Sequence, residues 1–241
     1  MAAAQGFVID EHEVPDRRED GDTAAQRLTI DASRGCERLE QRVIRFGPGR
    51  SRPRTLGDRQ EVLYVARGAG AIEIEGGVHE LEPETGVYVA PDETYVIDNP
   101  GPDDLLVVSV AAPAEQADGG RRRVTVHSRD QPVLPAGTDR EFRYLINQDA
   151  GCRDVTQFVG TIPPGRAPMH SHTYDEVVYV LEGTGVLHID GRTTELGPGS
   201  CLHLPPLVMH CLENSGDRPL RVLGVFHPSG DPASRAAEAL V

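Results

Sequence analysis

The sequence contains no lysine, so all 24 of its basic side chains are arginines. A chain without lysine cannot form a lysine Schiff base, anchor pyridoxal phosphate or supply the lysine of a phosphate-binding loop. It also has no Gly-x-Ser-x-Gly turn, which is the commonest hydrolase signature. These absences exclude several large enzyme classes.

Positive charge and long apolar runs are also scarce. The formal net charge is -14, and the only basic cluster is Arg121–Arg123, interpreted as a solvated start to the second half. A phosphate backbone would be repelled by such a chain. No apolar run approaches the about 18 residues that cross a membrane, and the beginning of the chain lacks the apolar core of a signal peptide. We therefore expect a cytoplasmic protein with no nucleic-acid or membrane partner.

Cysteine is limited to four residues without Cys-x-x-Cys spacing, which we expect to be reduced and buried: Cys36, Cys152, Cys201 and Cys211. Glycine and proline are plentiful, with 26 and 19 residues. Such a chain reads as many short strands separated by turns. At 241 residues it has the length for one large or two small domains, and the first prediction is an all-β fold.

The most informative stretch holds three histidines and one glutamate. His170, His172 and Glu176 have equal parity, so one strand would point them the same way, and His210 follows the turn Pro205–Pro206. Imidazole suits iron, nickel, copper and zinc, and a carboxylate adds affinity for manganese. A polar strand edge would explain an isolated His-x-His pair, but not Glu176 and His210 as well. The pattern predicts one divalent metal with two open positions in an octahedral arrangement.

This stretch resembles the two motifs of the cupin superfamily. The first motif is matched by Gly165, His170, His172, Glu176 and Gly183, and the second by Gly191, Pro198, His210 and Asn214. The first gap is one residue shorter than usual, and Leu207 replaces the usual glycine of the turn. The resemblance implies metal ligands at His170, His172, Glu176 and His210. It also implies a jelly-roll barrel, and dimerisation through the sheets is an expectation of the same kind.

An internal repeat covers most of the chain. Cys36 and Cys152 lie 116 positions apart in similar surroundings, and beyond a one-residue difference Asn99 and Asn214 lie 115 apart. The chain therefore consists of two copies of one unit, which with the resemblance implies two tandem jelly-roll cupin barrels. The predicted layout is an acidic N-terminal arm (1–27), an N-terminal barrel without metal ligands (28–112), a linker (113–122), a C-terminal metal-binding barrel (123–230) and a short C-terminal helix (231–241).

The first copy has lost the ligand set. The counterparts of His170 and His172 fall within 54–57, the counterpart of His210 is Tyr95, and only Glu61 survives. One carboxylate without imidazoles is a poor transition-metal site. A buried carboxylate needs a partner, and we hypothesise that this is Arg50, Arg52 or Arg54.

Two further residues are candidates for a catalytic role. His203 and Cys201 share a strand face; if that face looks into the barrel, His203 is a candidate acid or base. Tyr174 lies between the predicted ligands and is a second candidate. No residue of the sequence marks the substrate.

Two function classes fit these observations. The first is a mononuclear metal-dependent enzyme acting on a small polar molecule. Its three-histidine, one-glutamate set resembles that of cupin dioxygenases with iron, while manganese, nickel, copper or zinc would suit the same residues. Decarboxylation, isomerisation or hydrolysis is the alternative chemistry. The second class is a non-catalytic small-molecule-binding protein, which gives no reason for a complete ligand set in one copy alone.

Overall fold

The structure is a computed structural model that describes residues 5–116, 122–137 and 139–239. Within these ranges the chain folds into antiparallel strands and four single-turn 3₁₀ helices, which confirms the all-β prediction. The 3₁₀ helices span Glu11–Glu13, Ala32–Arg34, Ser128–Asp130 and Gln148–Ala150. Nothing helical in these ranges is long and apolar enough to cross a bilayer.

The strands fall into two series that repeat in the same order. The first series is β1 (Phe7–Asp10), β2 (Arg17–Arg18), β3 (Ala24–Ile30), β4 (Glu40–Phe46), β5 (Gly49–Arg50), β6 (Arg59–Arg67), β7 (Gly70–Ile74), β8 (Gly77–Leu81), β9 (Thr85–Val89), β10 (Tyr95–Asn99) and β11 (Leu105–Pro113). The second is β12 (Thr125–His127), β13 (Leu134–Pro135), β14 (Glu141–Ile146), β15 (Thr156–Ile162), β16 (Gly165–Arg166), β17 (Met169–Ser171), β18 (Asp175–Glu182), β19 (Gly185–Ile189), β20 (Arg192–Leu196), β21 (Ser200–Leu204), β22 (His210–Asn214), β23 (Leu220–His227) and β24 (Ala237–Ala239).

Equivalent residues of the two copies make equivalent contacts. The side-chain amide of Asn99 donates to the carbonyl oxygen of Phe46 at 2.8 Å, and that of Asn214 donates to the carbonyl oxygen of Ile162 at 2.8 Å. Both asparagines are buried, so these bonds satisfy groups that would otherwise be costly to bury. The repeat in the sequence is thus a repeat in structure.

Each barrel is built from a larger and a smaller sheet. In the N-terminal barrel the orders are β12-β9-β6-β11-β4-β3-β2 and β5-β10-β7-β8. In the C-terminal barrel they are β1-β21-β18-β23-β15-β14-β13 and β20-β19-β22-β17-β24, with β16 paired to β22. The two tandem jelly-roll barrels predicted from the sequence are confirmed.

The leading strand of each copy belongs to the barrel of the other copy. β1 pairs with β21, with Phe7 opposite His203, and β12 pairs with β9, with Thr125 opposite Val87. The prediction of a solvated arm over 1–27 is therefore wrong for its described part, and the predicted barrel boundaries shift accordingly. The acidic composition of this segment favoured a solvated arm, but its backbone forms a strand that covers the edge of a sheet in the C-terminal barrel.

The two larger sheets pack against each other, so their strands are apolar on both faces. Along β6, Leu63 and Val65 point into the N-terminal barrel, whereas Val62 and Tyr64 join the core between the barrels. That central core draws buried residues from both copies. Each buried aliphatic side chain stabilises the fold by about 1.5–3 kcal/mol, so the interface between the barrels is a major source of stability.

The chain after the second barrel departs from the predicted helix over 231–241. Asp231 caps a single turn, with its carboxylate accepting from the amide of Ala233 at 2.8 Å. The chain then extends, the amide of Ala236 donates to the carbonyl oxygen of Ser171 at 2.8 Å, and Ala237–Ala239 pairs with β17. Backbone pairing along the open side of β17 overrides the local helix signal. Residues 240–241, and 117–121 of the predicted linker, lie outside the described residues; Pro113 ends β11.

Candidate metal centre

The predicted ligands converge at one place inside the C-terminal barrel. His170 on β17 lies directly opposite His210, the first residue of β22, while Glu176 reaches across from β18 in the other sheet. Ligand atoms of His172, Glu176 and His210 all lie within 4.8 Å of one another. The ring of His170 stands outside this group of three but packs 4.7 Å from the ring of His210, centroid to centroid. The site bridges the two sheets of the barrel.

Backbone carbonyl groups fix the protonation of all three rings. Each ring places its Nδ1 against a carbonyl oxygen two residues away: His172 with Tyr174 at 2.8 Å, His210 with Val208 at 2.9 Å and His170 with Pro168 at 3.3 Å. A carbonyl oxygen can only accept, so Nδ1 carries the proton and donates. In each neutral ring Nε2 is then left with a free lone pair, which is the state that binds a metal.

The contact between His172 and Glu176 calls for a cation. Nε2 of His172 lies 2.9 Å from Oε2 of Glu176, both side chains are buried, and this Nε2 has no hydrogen-bond partner in the part of the chain that the structure describes. Two hydrogen-bond acceptors, Nε2 of His172 and Oε2 of Glu176, therefore face each other at 2.9 Å. The arrangement is unfavourable unless a proton is shared or a cation binds both atoms, and the donor set fits a divalent transition metal.

Burial keeps His170 and His210 neutral. Loss of solvent lowers the pKa of His170 to about 4 and that of His210 to about 4. Near neutral pH both rings are unprotonated, so protons do not compete for their lone pairs.

Tyr174 forms one wall of the site. Its ring stacks on His172 with centroids 4.3 Å apart, and it also stacks on Phe226 with centroids 4.0 Å apart. Its hydroxyl donates to the carbonyl oxygen of Asp231 at 3.2 Å, and burial raises its pKa above the ordinary value. Tyr174 therefore lies beside the predicted ligands as a neutral group that holds the plane of His172.

A small cavity opens beside the histidines. It offers about 90 Å³ to the centres of water-sized molecules, enough for roughly half a dozen waters. Its apolar wall consists of Phe142, Phe158, Tyr174 and Phe226 with aliphatic residues, and its polar lining outside the ligands is Arg140, Glu141, Thr161 and Ser234. Sequence reasoning did not find Arg140, which lies 30 positions before His170 with no motif around it.

Residues 158–226 match the cupin domain family. This segment lies within the second of two barrels that repeat each other strand for strand. The chain has the bicupin fold. The predicted resemblance to the cupin superfamily is thereby confirmed.

Solved structures similar to this bicupin extend over nearly the whole chain. A putative glyoxylate-induced protein from Pseudomonas aeruginosa superimposes with a TM-score of 0.80 at 17% identity, covering 96% of this chain and 92% of that one. Protein YlbA from E. coli gives 0.80 at 12% identity, covering 95% and 93%. A variant of oxalate decarboxylase from Bacillus subtilis gives 0.74 at 15% identity, covering 94% and 78%. At these identities the likeness concerns the fold alone.

A sequence relative of this bicupin matches part of the chain. The uncharacterized protein MJ1618 of Methanocaldococcus jannaschii is 35% identical over 69 residues. The match covers 28% of this chain and 55% of that protein, so the chain spans about half the length of this relative.

In the N-terminal barrel of this bicupin, the place that corresponds to the candidate metal site contains a hydrogen-bonded carboxylate. Glu61 is buried, its carboxylate accepts from the hydroxyl of Ser109, and Tyr95 fills the place equivalent to His210. Burial raises the pKa of Glu61, and the nearby charges of Arg42 and Arg54 oppose that effect.

The hypothesis of an arginine partner for Glu61 is wrong for Arg50 and Arg52 and is supported for Arg54. Arg50 pairs with Glu73, and Arg52 lies 3.5 Å from Glu19. Only Arg54 of the three acts on Glu61, after the larger effect of Arg42, which the sequence did not suggest. Arg42 was missed because it faces into the barrel from β4, two strands away from Glu61 in the same sheet, and no local sequence pattern links the two residues.

His203 is not in the cavity of this bicupin. Leu202 and Leu204 of β21 point into the C-terminal barrel, so His203 and Cys201 point into the space between the barrels. The condition on which His203 was a candidate acid or base, a side chain inside the barrel, is therefore not met. His203 and Cys201 do share one face of β21, as predicted. Both faces of this strand are buried, so residue types alone do not show which face looks into the barrel.

A second group of potential ligands lies between the barrels. Atoms of Cys36, Asp175 and His203 lie within 4.8 Å of one another, and Nε2 of His203 is 2.9 Å from the Asp175 carboxylate. Here no carbonyl claims Nδ1 in the described part of the chain, so Nε2 can carry the proton and donate to Asp175. Burial also raises the pKa of Cys36 to about 12, which keeps the thiol protonated. This group is a hydrogen-bonded pair beside a thiol and needs no cation.

Proposed function

We propose that this bicupin is a mononuclear metal-dependent enzyme whose only metal lies in the C-terminal barrel, bound by His170, His172, Glu176 and His210. The observation that carries the proposal is the buried Nε2 of His172 facing the Glu176 carboxylate at 2.9 Å without a donor among the described residues. Three fixed lone pairs and one carboxylate are the ligand set expected for iron, manganese or a neighbouring divalent metal.

The residues around the ligands define what the site does. Tyr174 and Phe226 exclude water from one side of His172, and the Nδ1 bonds hold the rings so that Nε2 faces inward. A divalent metal bound here would act as a Lewis acid for an oxygen donor of the substrate and, as iron, would also supply dioxygen chemistry. The cavity admits only a small molecule beside the ligands.

We favour an oxygenase reaction with iron. A hydrolase, isomerase or decarboxylase uses a positioned acid or base to move protons. Among the lining residues that the structure describes, Glu141 is the only carboxylate outside the ligand set, and it lies exposed at the rim. The hydroxyl of Tyr174 is already donated to Asp231. A site with few proton-transfer groups fits chemistry that depends mainly on the metal.

The second candidate is a non-redox reaction with manganese. Oxalate decarboxylase from Bacillus subtilis is among the proteins of similar fold, and one of its structures belongs to a study of its Mn(II) centres. The same ligands suit manganese. Dioxygen consumption separates the two candidates.

The test begins with metal content. Purified protein is expected to hold one equivalent of metal per chain; His172→Ala should lose it, and the matched change Tyr95→Ala in the other copy should keep it. Equal loss in both variants, or a metal-free wild type that takes up neither iron nor manganese, would contradict the proposal.

The second step measures open coordination. Protein loaded anaerobically with ferrous iron is expected to bind nitric oxide, seen by electron paramagnetic resonance, and to consume dioxygen with a small oxygen-donor substrate. Turnover of a substrate by the manganese form without dioxygen uptake would select the non-redox candidate. A metal that binds firmly but accepts no further ligand would indicate a structural ion and a binding protein.

A further inference from the structure

Arg140 is a cation in the cavity that forms no ion pair with any carboxylate among the described residues. Its side chain lines the cavity immediately before β14, and it donates to the carbonyl oxygen of Leu212 at 2.6 Å. Its other described contact is the thiol of Cys211, and Nε is buried without an acceptor in the described ranges. Asp139 attracts it electrostatically without pairing with it in this part of the chain.

The tether to Leu212 holds the guanidinium close to the ligand histidines. Leu212 lies on β22, two residues after His210, so one strand presents both a predicted ligand and the carbonyl that anchors Arg140. Arg140, Leu212, His170 and His210 all line the same cavity. Burial lowers the pKa of Arg140, so its charge is poorly solvated there.

The charges of the site do not balance without a ligand. Imidazoles that bind a metal carry no charge, Glu176 contributes one negative charge, and a divalent cation would leave one positive charge to which Arg140 adds another. Glu141, the other carboxylate of the lining, lies exposed to solvent at the rim. A positive site within an apolar wall favours an anion over a neutral molecule. Guanidinium and carboxylate have matching planar shapes and form paired hydrogen bonds, which makes arginine the usual residue for carboxylate recognition.

We propose that Arg140 determines specificity and that the substrate is a small carboxylate anion with a second oxygen donor. Its carboxylate pairs with Arg140 while the second donor faces the histidines. The volume of about 90 Å³ limits the anion to a few carbon atoms, and the aromatic wall covers its carbon skeleton. This proposal rests on the metal-dependent function proposed above, and it adds a substrate class and a positioning residue.

The test compares glycolate with its neutral amide, glycolamide, as probes of nearly equal size. Binding to the manganese-loaded protein is followed by calorimetry and by the electron paramagnetic resonance of the metal. Wild type is expected to prefer glycolate by roughly 10- to 100-fold, the range of one charge-assisted contact. Arg140→Gln should remove the preference without changing metal content, and Arg140→Lys should restore part of it.

Arg143→Gln is the matched control, because Arg143 lies on β14, the strand that Arg140 precedes, but donates to the carbonyls of Ser128 and Gln131 outside this cavity. It should retain the full preference. A preference for glycolate that survives Arg140→Gln, or equal binding of the two probes by wild type, overturns the assignment of Arg140.

A parallel titration of metal-free protein separates the two proposals. If wild type takes up no metal but still binds glycolate in a manner lost in Arg140→Gln, the metal-dependent function fails and the anion site stands. If metal is bound and glycolate binding is unaffected by Arg140→Gln, the metal centre stands and Arg140 is not its specificity residue.

Discussion

At the scale of single residues, the partner of each Nδ1 decides what a histidine can do. His172 and His203 both lie 2.9 Å from a carboxylate and both are buried. The carbonyl oxygen of Tyr174 accepts a hydrogen bond from Nδ1 of His172, so the proton of this ring lies on the nitrogen away from Glu176. In the described part of the chain no such acceptor faces Nδ1 of His203. Two similar pairs therefore differ in their need for a cation.

The buried rings predict an acid-sensitive stability for the metal-free protein. The pKa of His170 and of His210 is about 4 in the folded state, below the ordinary value of about 6.5. Between these values the unfolded chain binds more protons, so stability is complete above about pH 6.5 and falls as the pH is lowered toward 4. Each ring contributes at most about 3 kcal/mol to this loss.

Urea unfolding of chelated protein at pH 7 and pH 5 measures this loss, with His210→Asn as the comparison. The variant should lose less stability on acidification, because asparagine does not titrate. Glu61, whose pKa is raised by burial, has the opposite pH dependence but is common to both proteins. An identical pH dependence in the two proteins would show that His210 is not the source.

The sequence predicted the ligand group from the spacing of two motifs that lie within 41 positions. The premise of one shared strand was wrong, because His170 lies on β17 and Glu176 on β18 of the other sheet. Arg140 was missed because it reaches the cavity by a tertiary contact with Leu212. A single guanidinium far from any motif carries no local signal in one sequence.

At the scale of secondary-structure elements, β24 protects the site. It pairs with β17, which carries His170, and the segment before it contributes Pro232 and Ser234 to the cavity lining. The carbonyl of Asp231 also accepts from Tyr174. The last described strand therefore restrains a ligand strand and covers the mouth of the cavity.

Removal of residues 231–241 is expected to speed metal loss to a chelator by about tenfold, as expected for the loss of one or two backbone hydrogen bonds. Metal stoichiometry at equilibrium should remain at one per chain. The point change Ala236→Pro removes the amide that donates to Ser171 and should give a smaller effect in the same direction. Unchanged release rates in both variants would mean that this segment does not restrain the site.

The presence of strands was easier to predict than the pairing between them. Glycine and proline content predicted many short strands, whereas the pairing of β1 with β21 depends on a contact between the halves of the chain. The terminal helix was predicted from Asp231 and Pro232, which do begin a turn, but β17 offers the following residues more hydrogen bonds than a short helix would.

At the scale of the whole molecule, the barrels depend on each other. The larger sheets share one apolar core, and each sheet is completed by a strand from the other copy. The repeat in the sequence was sufficient to predict two barrels. It did not reveal the exchange, because the same residues would fit whether a leading strand closed its own barrel or the neighbouring one.

Separate expression of 1–116 and 122–241 tests this dependence. Each half alone is expected to be insoluble or unfolded, since it exposes the shared core and lacks a strand of its larger sheet. Co-expression with a tag on one half should recover both in a single soluble complex. A C-terminal half that is soluble alone and binds metal would show that the exchanged strand is dispensable.

The exchanged strands also bear on how the two copies came to differ. One copy by itself would leave a sheet edge vacant and its first strand unplaced, so the ancestral unit would close only as a symmetrical pair of subunits. In such a pair every substitution occurs twice. Two copies in one polypeptide are free of that constraint, and Tyr95 and His210 occupy twin positions with different chemistry, one beside a hydrogen-bonded carboxylate and the other among the candidate metal ligands.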